Sequence, residues 1–274
     1  MSQSQRRFSG FVAVTLLAAL LATLSSCSST VRAQAGTPAS DWSAAKERYV
    51  AGNYVKAIEK LDHLLEAPNE YSQRALPFSL VLTSGVAAGY IELADYYAAG
   101  ARANRTKALT FLRKASDYRA MANHMVLDFA ENTKKMDLMR GDSVQLAFGP
   151  PKGGAVEPAL FKQIAQGMEL SSGDEEEALS AAVDRGVLLA VCNVAGAPNN
   201  LAKASEILQR GEFLVRRTQF MKAVAEQLER ESQLYARNKL DDSAKMAMLR
   251  QLAQDVLRDA PGSRTAMVTQ VNGN

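Results

Sequence analysis

The sequence predicts an all-α body assembled from antiparallel helical hairpins. Apolar residues recur at helical spacing along most of the chain, and period-two alternation with β-branched runs is missing. The interruptions fall at Gly, Asn and Pro, where helices end or begin. With 274 residues, 47% of them hydrophobic and 22% charged, the chain can bury a core. Thirty-two Lys and Arg against 29 Asp and Glu give a formal charge of +3. Without Arg6 and Arg7, which fall in a leader described next, the balance is +1. No concentrated basic face shows, which argues against nucleic acid as a partner.

Residues 1–26 read as a secretion signal. Met1 to Arg7 is polar and basic, Phe8 to Leu24 is apolar, and small residues lead up to Cys27. The tetrad Leu24-Ser25-Ser26-Cys27 resembles the lipobox of bacterial lipoproteins. That resemblance implies cleavage before Cys27, with diacylglycerol on its sulfur and an acyl chain such as palmitate on its new amine. Each buried methylene of such chains adds roughly 0.8 kcal/mol, so several chains hold a protein on a bilayer. An ordinary cleaved signal, with Val31-Arg32-Ala33 as another cleavage site, is the alternative. Ser28 rather than Asp after the cysteine favours the outer membrane, with the body facing the periplasm. Residues 27–40 are small and polar and read as a flexible tether.

The helical body is expected over residues 41–260. Ser40 is the expected N-cap of a first helix carrying Trp42, Ala45 and Tyr49 on one face, and Gly52-Asn53 ends it. Tyr54, Ala57, Ile58, Leu61, Leu64 and Leu65 form the stripe of a second helix, which Pro68 stops. A third is expected to start at Leu76-Pro77-Phe78, with Pro in its first turn, and to reach Gly100. Asn104 is placed to cap the fourth, whose stripe runs from Ala108 through Phe111, Leu112, Ala115 and Tyr118 to Phe129. Residues 141–157, rich in Gly and Pro, read as a loop. Beyond it come a helix with Leu160, Phe161, Ile164 and Met168, and another over Asp174 to Ala195 with an acidic first turn. Asn200 is expected to cap one long arm through Leu208, Gly211, Leu214 and Val215 to Leu228. Ser243 to Ala260 forms the last helix, and residues 261–274 read as a loose tail.

Gly52-Asn53-Tyr54-x-x-Ala57-Ile58 resembles the turn and second-helix start of a tetratricopeptide repeat. Ala57-Leu61-Leu64, Ala108-Leu112-Ala115 and Ala204-Leu208-Gly211 repeat its small-large-small spacing. The triplets are not spaced at the family's period of about 34 residues, so the resemblance implies an irregular tetratricopeptide-like array. Ala75 to Leu82, Gly89 to Tyr97 and Lys107 to Leu127 look like the core of the T-component lipoproteins of TRAP transporters. That second resemblance implies partnership with a periplasmic solute-binding protein, or a small ligand held between helix pairs. Tyr49 to Pro68 equally resembles the repeat lipoproteins of outer-membrane assembly machines, which implies a scaffold for protein partners.

Catalysis finds little support. Gly149-Pro150-Pro151-Lys152-Gly153-Gly154 lacks the spacing of a phosphate loop, and its prolines remove N–H donors. His63 and His124 have no second ligand at metal spacing, so neither a metal nor a cofactor is expected. Cys192 sits in an apolar stretch and reads as a buried thiol. The residues singled out for a partner or ligand are Tyr90, Tyr96, Tyr97 and Tyr118, because tyrosine is amphipathic and anchors interfaces. Core packing is the competing role for all four. The expected function is a lipid-anchored helical scaffold, with the transporter accessory as its alternative.

Overall fold

A computed structural model of the chain describes residues 36–147, 159–237 and 242–260. The leader, Cys27, most of the tether, the Gly149–Gly154 segment and the tail beyond residue 260 lie outside these residues. The described body is all-α, with nine helices and one two-stranded ribbon. In chain order these are α1 (Pro38–Val50), α2 (Tyr54–Glu66), α3 (Ser72–Ala103), α4 (Ala108–Thr133), a 3₁₀ turn (Met136–Leu138) and β1 (Ser143–Ala147). They continue with α5 (Ala159–Ala165), α6 (Ser172–Val194), α7 (Leu201–Gln209), β2 (Glu212–Arg216), α8 (Arg217–Arg237) and α9 (Ser243–Asp259).

Several boundaries differ from the sequence expectation for identifiable reasons. Thr37, not Ser40, caps α1: its hydroxyl accepts from the Ser40 N–H at 3.3 Å, and Pro38 supplies the first helical residue. The end of the tether is therefore helical. The third helix begins at Ser72 and carries Pro77 inside it, not in its first turn. The start is set upstream, where Asn69 Oδ1 accepts from the Tyr71 N–H and the Ser72 hydroxyl donates to the Leu64 carbonyl, both at 2.9 Å. The Asn104 carboxamide accepts from the Lys107 N–H just ahead of α4.

The largest departure is the ribbon, since no sheet was expected. β1 and β2 pair antiparallel, with Val144 opposite Val215 and Gln145 opposite Leu214. Gly211, at φ +82°, ends α7 in a left-handed turn that breaks the expected long arm into α7, β2 and α8. Val144, Leu146 and Val215 then turn inward, while Leu214 is exposed.

α3 organises the body. It packs against α2, α4, α5, α6 and β1, whereas a stacked repeat brings each hairpin against its neighbours only. It is long and apolar enough to cross a membrane by length and composition, yet 83% of its most apolar window is buried within the fold. The N-terminal half of α3 joins a large core with α1, α2, the C-terminal half of α4, the ribbon, α8 and α9. Its C-terminal half joins a second core with Phe111 and Ala115 of α4, Phe161 and Ile164 of α5, and Ala178 and Ala182 of α6. Of the three repeat triplets, Ala57-Leu61-Leu64 is buried throughout, but Leu112 of the second is 48% exposed.

The closest approach in the body is the crossing of α3 with α6. Gly85 and Gly89 of α3 lie directly on the backbone of α6 around Gly186. A Cβ at position 89 would stand 2.6 Å from the Ala182 carbonyl oxygen, and one at 85 would stand 2.6 Å from the Val187 Cα. A Cβ at 186 would strike the Gly85 carbonyl oxygen and lie 2.7 Å from the Gly89 nitrogen. Every one of these obstacles is backbone, so a methyl group forces the helices apart instead of rotating a side chain. Gly186→Ala is expected to lower the unfolding free energy by about 3 kcal/mol. Urea unfolding would read this as a lower midpoint at unchanged slope. Gly173→Ala, whose Cβ meets only the Ser171 hydroxyl at 4.0 Å, should not lower the midpoint.

Candidate functional site

The structure places three of the four selected tyrosines in one ring stack. Tyr118 of α4 stacks on both Tyr90 and Tyr97 of α3, with ring centroids 6.3 and 5.6 Å apart. Tyr97 also meets Phe111, and Tyr96 points away to stack on Phe161 of α5 at 4.9 Å. Tyr90 and Tyr97 are only 5% and 3% exposed, and Tyr96 and Tyr118 are half-buried. Burial raises the pKa of the Tyr90, Tyr97 and Tyr118 hydroxyls, and the Glu175 carboxylate adds to the effect at the last two. Lys114 caps this stack, with its ammonium 5.5 Å from the Tyr97 ring centre and paired with Glu175. The rings therefore clamp α3 to α4 and α5, and the Lys114–Glu175 pair ties α4 to α6. Tyr90 borders a surface cavity of about 410 Å³, together with Gly52, Tyr54 and Glu176.

The remaining sequence candidates separate. His63 is exposed and 3.9 Å from Asp41, and His124 is exposed and 3.5 Å from Asp128 on its own helix. Cys192 is buried, its thiol donating to the Asn200 carbonyl, and burial pushes its pKa upward. Among the described residues no three His, Cys, Asp or Glu side chains gather where they could hold a metal ion.

A surface groove of about 580 Å³ lies between the start of α3 and the ribbon. One wall is Glu70, Tyr71, Gln73 and Arg74, and the other is Arg140, Ser143, Gln145 and Leu214. Its construction follows from local rules. Asn69 and Ser72 fold the turn that starts α3, and Trp42 of α1 backs Tyr71 with a stacked ring at 5.9 Å. The Gln73 carboxamide donates to the Arg140 carbonyl at 3.1 Å and ties the two walls together. Strand alternation buries Val144 and sends Ser143 and Gln145 to the face shared with Leu214, which is 70% exposed. The trough thus offers two guanidinium groups, one carboxylate, amide and hydroxyl groups and a single apolar edge.

Sequence reasoning missed the groove because its lining comes from three distant stretches, none distinctive alone. It also missed Glu231, although a signal was present. Val224, Leu228, Glu231 and Tyr235 fall on one helical stripe, and a carboxylate among apolar neighbours predicts a buried acid. No protein-family model matches the chain, and neither a curated protein nor a solved structure does. Tyr97→Ala tests the placement of the tyrosines. As a core residue, Tyr97 should lose about 3 kcal/mol or more of stability on truncation, read by urea unfolding. A ring serving mainly a partner would leave the midpoint unchanged.

Proposed function

We propose that this chain is a lipid-anchored protein of the bacterial envelope whose helical body is a scaffold for a protein partner. The observation that carries the reading is the groove between α3 and the ribbon, an open trough with polar walls and Leu214 at its edge. An accessory that encloses a small ligand calls for a channel lined by Tyr and Met, whereas the selected tyrosines are spent on packing helices. The anchor rests on Leu24-Ser25-Ser26-Cys27, followed by a polar stretch that leads into α1 at Pro38. The body then works by surface shape and charge, with no bond made or broken. The irregular tetratricopeptide-like array is part of the same proposal, supported mainly by the buried α1–α2 hairpin.

Two measurements test it. Cys27→Ala should abolish incorporation of labelled palmitate and move the protein from the membrane to the soluble fraction. Retention in the membrane without label in the wild type would refute the anchor. Arg74→Glu combined with Arg140→Glu should leave the unfolding free energy within about 0.5 kcal/mol of wild type, as exposed substitutions do. The same pair should remove the proteins that crosslink to the wild type in intact cells. Unchanged crosslinking in that variant would refute the groove as the docking surface.

A further inference from the structure

A second depression, of about 410 Å³, lies between α3, α6 and α8 and shares no residue with the groove. Its volume falls in the range of small-ligand pockets, about 300–1,000 Å³. Ile91 and Leu189 give it an apolar wall, and Glu231 of α8 stands in its lining. The Glu231 side chain is 2% exposed, and its two oxygens have different fates. Oε1 accepts a hydrogen bond from the Gln227 carboxamide, one turn earlier. Oε2 has no hydrogen-bond partner and is shut off from bulk solvent. A buried polar atom left unmade costs about 1–3 kcal/mol, more when charged, so this oxygen needs a reason to be there.

The neighbours restrict what can satisfy it. The Gln227 carboxamide cannot turn over to offer a second donor, because its oxygen accepts from Arg230 Nε at 3.1 Å and Nη2 at 2.7 Å. Arg185 of α6 faces the same pocket but is matched by Glu92 of α3, 3.2 Å away. The positive charges present are thus each directed at a group other than Oε2. Asn193, Asn199 and Gln233 also line the pocket, but none of its donors bonds Oε2, and a positively charged donor from outside answers both the lone pairs and the charge.

We propose that this pocket binds a small ligand carrying a protonated amine, toward which the Glu231 carboxylate turns so that Oε2 meets its N–H groups, while its carbon chain lies along Ile91 and Leu189. The site stands independently of the scaffold reading. Burial raises the Glu231 carboxyl to about 7, with Gln227 and Arg230 pulling the other way. The charged and titratable groups around it are Arg230 and Tyr235 on α8, Glu92 from α3 and Arg185 from α6. From the α9 side, Lys245 stands over the Tyr235 ring, and Asp242 adds negative charge beside that tyrosine. An ammonium ion binds the ionised carboxylate, so its binding expels the proton. Between pH 5.5 and 8 the ionised fraction of a group titrating near 7 grows about 30-fold, and the affinity grows with it.

The same group makes a ligand-free prediction. Its pKa is raised from 4.5 in the unfolded chain, so between pH 4.5 and 7 the folded protein holds a proton the unfolded chain has released. Its contribution to stability is therefore present below pH 4.5 and lost as pH rises through 7. The urea midpoint of the wild type should fall across that window relative to Glu231→Gln, whose carboxamide does not titrate.

The test uses butylammonium, butanol and butyrate, three probes of matched size, titrated into the full-length lipid-free Cys27→Ala protein and followed by NMR. Butylammonium should bind saturably, about 30-fold more tightly at pH 8 than at pH 5.5, and butanol and butyrate should not. Glu231→Gln should lose that binding while keeping the wild-type unfolding midpoint at pH 4, below the window in which Glu231 titrates, which separates loss of the site from loss of the fold. Should Glu231→Gln fail to fold, net proton release on butylammonium binding to the Cys27→Ala protein carries the test alone. Butyrate binding that strengthens toward pH 5.5 overturns the proposal in favour of an anion held by the neutral acid. No saturable butylammonium binding at pH 8 also overturns it.

Discussion

The contact of bare backbone between α3 and α6 governs the rest of the structure. With Gly85 and Gly89 facing Gly186, the helices meet where neither has a side chain to interpose. Two consequences follow. Ala182 and Val187, on either side of the crossing, are brought to full burial against α3. The space on either side of the crossing is filled by larger side chains. On one side it takes Tyr97, Phe111, Phe161 and Ile164, the bulky members of the second core. On the other it takes Leu80, Phe129 and Phe220 of the larger core. α3 can be enclosed by α2, α4, α5 and α6 at once because its small residues admit one neighbour closely while its large ones hold the others away.

Buried polar groups then fix which helix faces which. The Tyr54 hydroxyl of α2 donates to Asp184 of α6, a carboxylate only 2% exposed, one turn before Val187 and Leu188. Asp62 of α2 accepts from Ser79 of α3 at 3.2 Å and from Asn132 of α4 at 2.8 Å, and Lys135 donates to the same Asn132 side chain. Burial raises the Asp62 carboxyl even though these donors act against the shift. Apolar packing tolerates small rotations of a helix, but these bonds have one arrangement that satisfies them, and a shift of one residue would strand a carboxylate in the core. Each network spans residues far apart in the chain, so it reports on tertiary arrangement rather than on any one hairpin.

That distinction explains what was legible in the sequence. The Tyr54 to Leu65 stripe, the acidic first turn of α6 and the Pro-Gly stop after α9 are local signals, and the helices stand where those signals lie. The ribbon was not legible because β1 has only two inward residues, Val144 and Leu146, too few to show a period. β2 was hidden because Leu208, Gly211, Leu214 and Val215 also fit a helical stripe; only the left-handed turn at Gly211 separates the two readings. Pro77 misled in the opposite direction. Proline suits a first turn on average, but hydrogen bonds from Asn69 and Ser72 had already started the helix. The tyrosines were visible as a cluster, but whether an amphipathic ring faces a partner or another ring depends on α5 and α6, which lie elsewhere in the chain.

The Glu231 carboxyl belongs to a different class from Asp62 and Asp184. Those two tie helices together through donors supplied by other elements, as structural acids do. Glu231 receives its one hydrogen bond from its own helix, so it fastens α8 to nothing. A buried acid that joins no elements is a burden on stability wherever it is ionised, and an apolar side chain would fill the space at less cost. Nor does it serve as an inert spacer, since Arg230 holds the Gln227 carboxamide in the one orientation that donates to the first carboxylate oxygen and leaves the second without a partner. Three polar side chains within one turn of helix are thus arranged around an oxygen with no partner in the fold. That arrangement is what a binding site requires before its ligand arrives, because the strain of the empty state becomes the affinity of the filled one.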